Sequence, residues 1–237
     1  FADIHAFFED VRWERGFVTH VRAKPSVFVK GADAVFAAFP LLRGLVIDAG
    51  GPCPVNLTQA TALAGCPAFA RFTELDTTDD HYFARMSDLA VLLASEHMPR
   101  LKRLKLGTVR GGDGPGPAIA RMLADCKALV GLEHVELGGQ NLARSVMNEP
   151  HGITALEVLL EAMPALRTIR VPYNGFADAE ARALAQRLEA GFGPALRAVD
   201  FSNVLETDAV TKAVSFYRNR VSDEAAHAVN AVLAARD

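Results

Sequence analysis

Several groupings in this sequence carry residue types that do chemistry in other proteins. The stretch Gly111-Gly-Asp-Gly-Pro-Gly-Pro117 has the glycine content of a phosphate-cradling loop but lacks the Lys and the Ser or Thr that such a loop uses to reach phosphate and magnesium. It reads instead as a turn between a strand and a helix. Asp79, Asp80 and His81 offer metal-ligating atoms, as do Glu133, His134 and Glu136. A metal needs three or four converging donors, and neither group has the helical or loop spacing of a known site. Both read as solvated surface or helix caps. Cys126 falls between Leu123 and Leu129 on one helical face, the setting of a buried thiol rather than a nucleophile. The expectation is a protein that is not an enzyme, with no catalytic residue, metal or cofactor.

The charged residues with the most regular placement lie on short strands. A six-residue frame (apolar, x, x, apolar, x, apolar) occurs at Leu42, Leu45 and Ile47; at Leu101, Leu104 and Leu106; and at Leu132, Val135 and Leu137. It returns at Leu166, Ile169 and Val171 and at Leu196, Val199 and Phe201, with a weaker copy at Phe72, Leu75 and Thr77. The frames start 30, 29, 31, 34 and 30 residues apart, a regularity that marks an internal repeat. Segments at 82–96, 153–162 and 178–190 have the apolar spacing of helices, so each repeat reads as strand, turn and helix. Asp79 or Asp80, Thr154, Asp178 and Asp223 stand where helix starts are expected. One such unit cannot bury its apolar face, whereas stacked units form a continuous core between a parallel sheet and a helix layer. The expected fold is α/β: a curved, right-handed solenoid with the sheet on the concave face and helices on the convex face.

Both ends depart from the frame. Residues 1–39 are expected to form an N-terminal cap of helix (4–13), strand (17–22) and helix (27–38), with Trp13, Phe17 and Phe28 in the core. Residues 40–237 are expected to form the repeats, closed by a helix over 223–235. A last frame at 214–216 starts too soon after its predecessor for an intervening helix and reads as an extended terminal strand.

Side chains alternate along a strand, so the residues flanking each central apolar position share the inner face. The pairs are Gly44 and Val46, Glu74 and Asp76, Arg103 and Lys105, His134 and Glu136, Thr168 and Arg170, Ala198 and Asp200, then Ala213 and Ser215. With the strands in register, Glu74 opposes Arg103, Asp76 opposes Lys105, Lys105 opposes Glu136, Glu136 opposes Arg170, and Arg170 opposes Asp200. Two compatible readings follow: a self-neutralising ladder that fixes register, and a polar surface complementary to a partner's mixed charges. Tyr173 and Tyr217 lie two residues past their strand centres and are expected as contact residues on the loop edge.

Composition narrows the partner. The net charge is only -3, from 25 Lys plus Arg against 28 Asp plus Glu, and half of the residues are hydrophobic, so neither nucleic acid nor an anionic membrane is favoured. The longest apolar candidate for a membrane span, 27–39, is interrupted by Lys30 and Asp33. Three cysteines, Cys53, Cys66 and Cys126, are an odd number without CxxC spacing, so a reducing, cytoplasmic location is expected. The chain begins at Phe1, which reads as a processed or trimmed piece of a longer protein.

Two copies carry more than spacing: Ile169-Arg-Val-Pro-Tyr-Asn174-Gly-Phe176-Ala-Asp178 and Val214-Ser-Phe-Tyr-Arg-Asn219-Arg-Val221-Ser-Asp223-Glu224. Both resemble the leucine-rich repeat of the ribonuclease-inhibitor class, in which an Asn, an apolar residue and an acidic helix start follow the strand. The resemblance implies that the Asn side chain satisfies backbone groups at the turn. Other copies match less well, with Gln140 or Asn141 in the fourth and Asn203 one place early in the sixth. The run Arg15-Gly-Phe-Val-Thr-His-Val21, followed by Phe28, Ala32 and Phe36 and then Pro40-Leu-Leu-Arg-Gly-Leu45, is similar to bacterial leucine-rich repeat proteins that carry a repeat-companion domain. That domain would precede Phe1.

The function expected from this reading is a non-catalytic scaffold that binds a protein partner through the concave face and adjoining loops. The alternatives are a sensor or autoinhibitory segment of a longer signalling protein, a GTPase-activating role known for this repeat class, and a homo-oligomer formed through the terminal strand.

Overall fold

A computed structural model describes residues 4–48, 55–77, 83–107, 109, 116–143, 153–202 and 218–236. The chain opens with a short 3-10 turn at Ile4–Phe7 and a hairpin of β1 (Asp10–Glu14) and β2 (Phe17–Ala23). Arg15 and Gly16 make the two-residue turn with φ of 50° and 84°, the left-handed pair that matches the twist of a hairpin. This corrects the helix expected over 4–13. Ile4, Phe7, Phe8 and Val11 are spaced like one helical face, but the left-handed turn reverses the chain and lets 10–14 pair with β2.

After the hairpin, strands and helices alternate. They are α1 (Pro25–Ala38), β3 (Gly44–Ile47), α2 (Leu57–Ala64), β4 (Glu74–Asp76), α3 (Met86–Leu93), β5 (Arg103–Leu106) and α4 (Gly116–Asp125). Then come β6 (His134–Leu137), α5 (Ile153–Ala162), β7 (Thr168–Arg170), α6 (Asp178–Glu189), β8 (Ala198–Asp200) and α7 (Asp223–Ala234). The sheet runs in chain order from β1 to β8, antiparallel between β1 and β2 and parallel at every later pairing. The architecture is α/β, with no helix among the described residues long and apolar enough to cross a membrane.

The central strand residues form one apolar row: Val21, Leu45, Leu75, Leu104, Val135, Ile169 and Val199 oppose one another in turn, and all are buried. Helices supply the other half of that core through residues at three- and four-residue spacing, such as Ile119 and Leu123 of α4, Leu184 and Leu188 of α6, and Val229 and Leu233 of α7. Phe28 is buried as expected, but Trp13 and Phe17 are corrections, being 62% and 57% exposed at the free end of the hairpin.

Polar side chains close the turns that follow the strands. Asn174 Oδ1 accepts from the N-H groups of Gln140 and Leu142 (3.0 and 3.2 Å), while its Nδ2 donates to the carbonyls of Leu137 and Pro172. Asn219 repeats the device one unit later, accepting from Asn174 and Phe176 and donating to Val171 and Phe201. Gln140 takes the equivalent place one unit earlier, accepting from Val109 N and donating to the carbonyls of Gly107 and Gly138. All three amides are buried, so each hydrogen bond replaces one that water would otherwise make. Asn203 lies outside the described residues.

Helix starts differ in detail from expectation. The α6 cap is Ala177, whose N-H donates to Glu180 Oε2, while Asp178 accepts from Ser222 N at 2.7 Å. Ser222 rather than Asp223 caps α7, its Oγ accepting from Ala225 N. Helix α3 is shorter than the 82–96 pattern, and Asp79, Asp80, His81, Tyr217 and the strand expected at 214–216 lie outside the described residues.

Candidate functional site

Away from the helices, the sheet carries two rows of side chains set by register. The first reads Arg12, His20, Gly44, Glu74, Arg103, His134, Thr168, Ala198. The second reads Asp10, Arg22, Val46, Asp76, Lys105, Glu136, Arg170, Asp200. Eight residues expected on this face, Glu74, Asp76, Arg103, Lys105, His134, Glu136, Arg170 and Asp200, are there with the opposing partners that alternation predicts. Tyr173 is a correction. Its φ of 54° breaks the strand alternation at the turn, and the side chain is buried rather than offered to a partner.

The face is not uniform. Toward β8, Arg170 donates to Glu136 Oε2 and to Asp200 Oδ2, both at 2.9 Å, so one guanidinium closes three strands together. Glu136 is only 4% exposed, and an ion so placed needs that partner. Burial pushes the Asp200 carboxyl up, but hydrogen bonds from Ser202 and the Arg170 charge outweigh it and hold the group below its ordinary value. His134 Nδ1 lies 2.6 Å from Thr168 Oγ1. Burial and then the nearby Arg103 push this imidazole toward its neutral form.

Toward β1 the rows open into a cavity of about 370 Å³ whose walls include Arg12, Arg22, Asp76, Arg103 and Lys105. Gly44 and Val46 place no long side chain at its centre. His20 uses the vacancy at Gly44: its ring lies where a Cβ would stand, and its Nε2 reaches Glu74 Oε2 at 3.1 Å, two strands away. Nδ1 is 2.9 Å from Thr19 Oγ1. The Glu74 carboxyl is held down to about 2, first by the hydrogen bond from His20, against burial, and then by the charges of His20, Arg103 and Arg43. Arg43 donates to Glu74 Oε1 (2.9 Å) and to Glu14 Oε2 (2.7 Å), tying the hairpin to β4. A smaller cavity of about 170 Å³ continues across Lys105, His134, Glu136 and Arg170.

Thr19, His20 and Glu74 have the connectivity of a hydroxyl, imidazole and carboxylate relay. A nucleophile must meet substrate, however, and the Thr19 hydroxyl is buried beside a different depression, with Glu14, Phe17 and Leu41, from the one His20 lines. The Cys126 thiol lies just past the end of α4, donates to Leu93 O at 3.4 Å and is pushed up by burial, the behaviour of a core group. Glu133 pairs with Lys102 at 2.7 Å rather than converging with His134 and Glu136.

Arg12, His20, Arg22 and Arg43 were not among the expected face residues. The alternation of 17–22 places His20 and Arg22 on this face once that strand is joined to the repeat. Arg12 required recognition of β1, and Arg43 precedes its strand, where alternation gives no direction. Compared with known proteins, the chain matches no family model and no curated relative.

Proposed function

We propose that this chain is a leucine-rich repeat solenoid of the ribonuclease-inhibitor-like class and a non-catalytic scaffold that binds another protein through the helix-free face of its sheet. The observation that carries this reading is the pair of in-register polar rows, which cover the whole sheet and include a cavity beside exposed cations. Surrounding support comes from the frame spacing of about 30 residues, the chain-order sheet that is parallel from β2 onward, and the buried amides at successive turns. Fold alone does not select a partner, so the proposal rests on the surface.

Photo-crosslinking tests it. A crosslinking amino acid is placed on the sheet face at position 10 or 46, beside the cavity, and, for comparison, on the helix side at position 127. The proposal requires a purified binding protein to be trapped from the first two positions and not from the third. Crosslinks confined to position 127 would move recognition to the helix layer and overturn it.

A further inference from the structure

We infer that the cavity between β1 and β5 receives an extended acidic segment of the partner, one carboxylate going to Arg12 and a second to Arg103. The inference rests on the reading of this face as the recognition surface and names what the surface takes.

Three observations carry it. First, the two halves of the face use their cations differently. Arg170 makes two 2.9 Å hydrogen bonds to carboxylates, whereas Arg12 and Arg103 approach Glu14 and Glu74 at 3.6 and 3.7 Å, outside hydrogen-bond reach, with side chains 70% and 48% exposed. Glu14 and Glu74 are already engaged by Arg43 at 2.7 and 2.9 Å, and Glu74 also by His20. A carboxylate arriving from outside would give Arg12 and Arg103 the close, two-pronged contact that the protein's own acids do not.

Second, Arg12 and Arg103 bound a five-residue stretch of one register row, with Gly44 midway between them. Four strand spacings separate their Cα atoms, about 19 Å on a flat sheet. Two such guanidinium groups do not converge on one compact anion but suit two monoanions carried on an extended chain. Third, the ground between them is kept low by Val46 and by the His20 ring lying over Gly44, which leaves room for a backbone to cross. The cavity walls carry Arg12, Arg22, Arg103 and Lys105 against three carboxylates, a small cationic excess that tolerates spaced single charges better than a dense dianion.

The test uses the whole chain and a fluorescein-labelled peptide alternating Gly and Glu, with a Gly and Gln peptide of equal length as control, read by fluorescence polarisation. The expected result is Glu-peptide binding at least about ten-fold tighter than Gln-peptide binding, weakening with added salt. The double variant Arg12→Gln, Arg103→Gln should lose about ten-fold in affinity while Lys127→Glu loses none, with all three proteins showing the same circular dichroism and melting. Equal binding of the two peptides, or equal binding by parent and double variant, overturns the inference. Displacement of the peptide by millimolar inorganic phosphate would also overturn it, since the site would then be a general anion site. Crosslinking separates the two failures. A partner trapped from positions 10 and 46 without Glu-peptide binding sinks the acidic segment alone, whereas a partner trapped only from position 127 sinks the recognition face as well.

Discussion

His20 and Gly44 occupy one volume between them: a Cβ on residue 44 would lie 1.9 Å from Cδ2 of the His20 ring. The glycine is therefore fixed by a side chain of the neighbouring strand, and the imidazole crosses β3 only because β3 is bare at that point. Gly44→Ala should expel the ring, break the contact with Glu74 and destabilise the fold by about 2 kcal/mol, the usual cost of overpacking a filled site. Urea denaturation measures this. Combining it with His20→Ala should recover part of the loss, and strictly additive effects would show that the two residues do not compete for space.

Glu74 gives the hydrogen-bonded network a pH signature. Its folded value of about 2 lies below the ordinary 4.5, so its contribution to stability is complete above the unfolded value and is lost as pH falls through the folded one. After allowance for solvent screening the effect is on the order of 2 kcal/mol. Stability measured from pH 6 down to pH 2 should fall more steeply for the parent than for Glu74→Gln, and parallel profiles would remove Glu74 from the acid response.

Arg170 is tested by removing it and then what it satisfies. Arg170→Met leaves Glu136 buried without that partner and should cost about 3 kcal/mol. Adding Glu136→Gln should return much of that loss, because an amide tolerates burial better than a carboxylate that has lost its guanidinium. A double variant no more stable than the single one in thermal melts would place the role of Arg170 elsewhere.

Asn174 tests what a turn amide contributes. Asn174→Ala leaves two N-H groups and two carbonyls in the buried turn without the partner they now have, so a loss of about 3 kcal/mol or more is expected. Asn174→Asp is the sharper comparison, since a carboxylate still accepts from Gln140 and Leu142 but cannot donate to Leu137 and Pro172. Equal stability of Asn174→Asp and parent in urea would show that the donated bonds contribute nothing.

The parts of this fold legible in the sequence are those governed by alternation. Leu45, Leu75, Leu104, Val135, Ile169 and Val199 were located as strand centres because a strand buried on one face has a period of two, and the same parity put Glu136 opposite Arg170. The illegible parts are those where backbone conformation interrupts the period. Arg15 and Gly16 turn a helix-like apolar pattern into a hairpin, and Tyr173 loses its strand direction to a positive φ. The choice between Gln140 and Asn141 was open because both are amides. Backbone geometry decides it: Asn141 sits in the left-handed region at φ 56°, while the longer Gln140 reaches the carbonyl groups of Gly107 and Gly138.

The turn amides also give the molecule a direction. Asn219 completes the turn around 171–176, Asn174 the turn around 137–142, and Gln140 the backbone groups of Gly107 and Val109, so each of these units receives partners from its successor. At these three turns, losing a unit strips a clamp from the unit before it. A defect in one of these amides therefore reaches back into the preceding unit, which gives local opening at these turns a polarity along the chain.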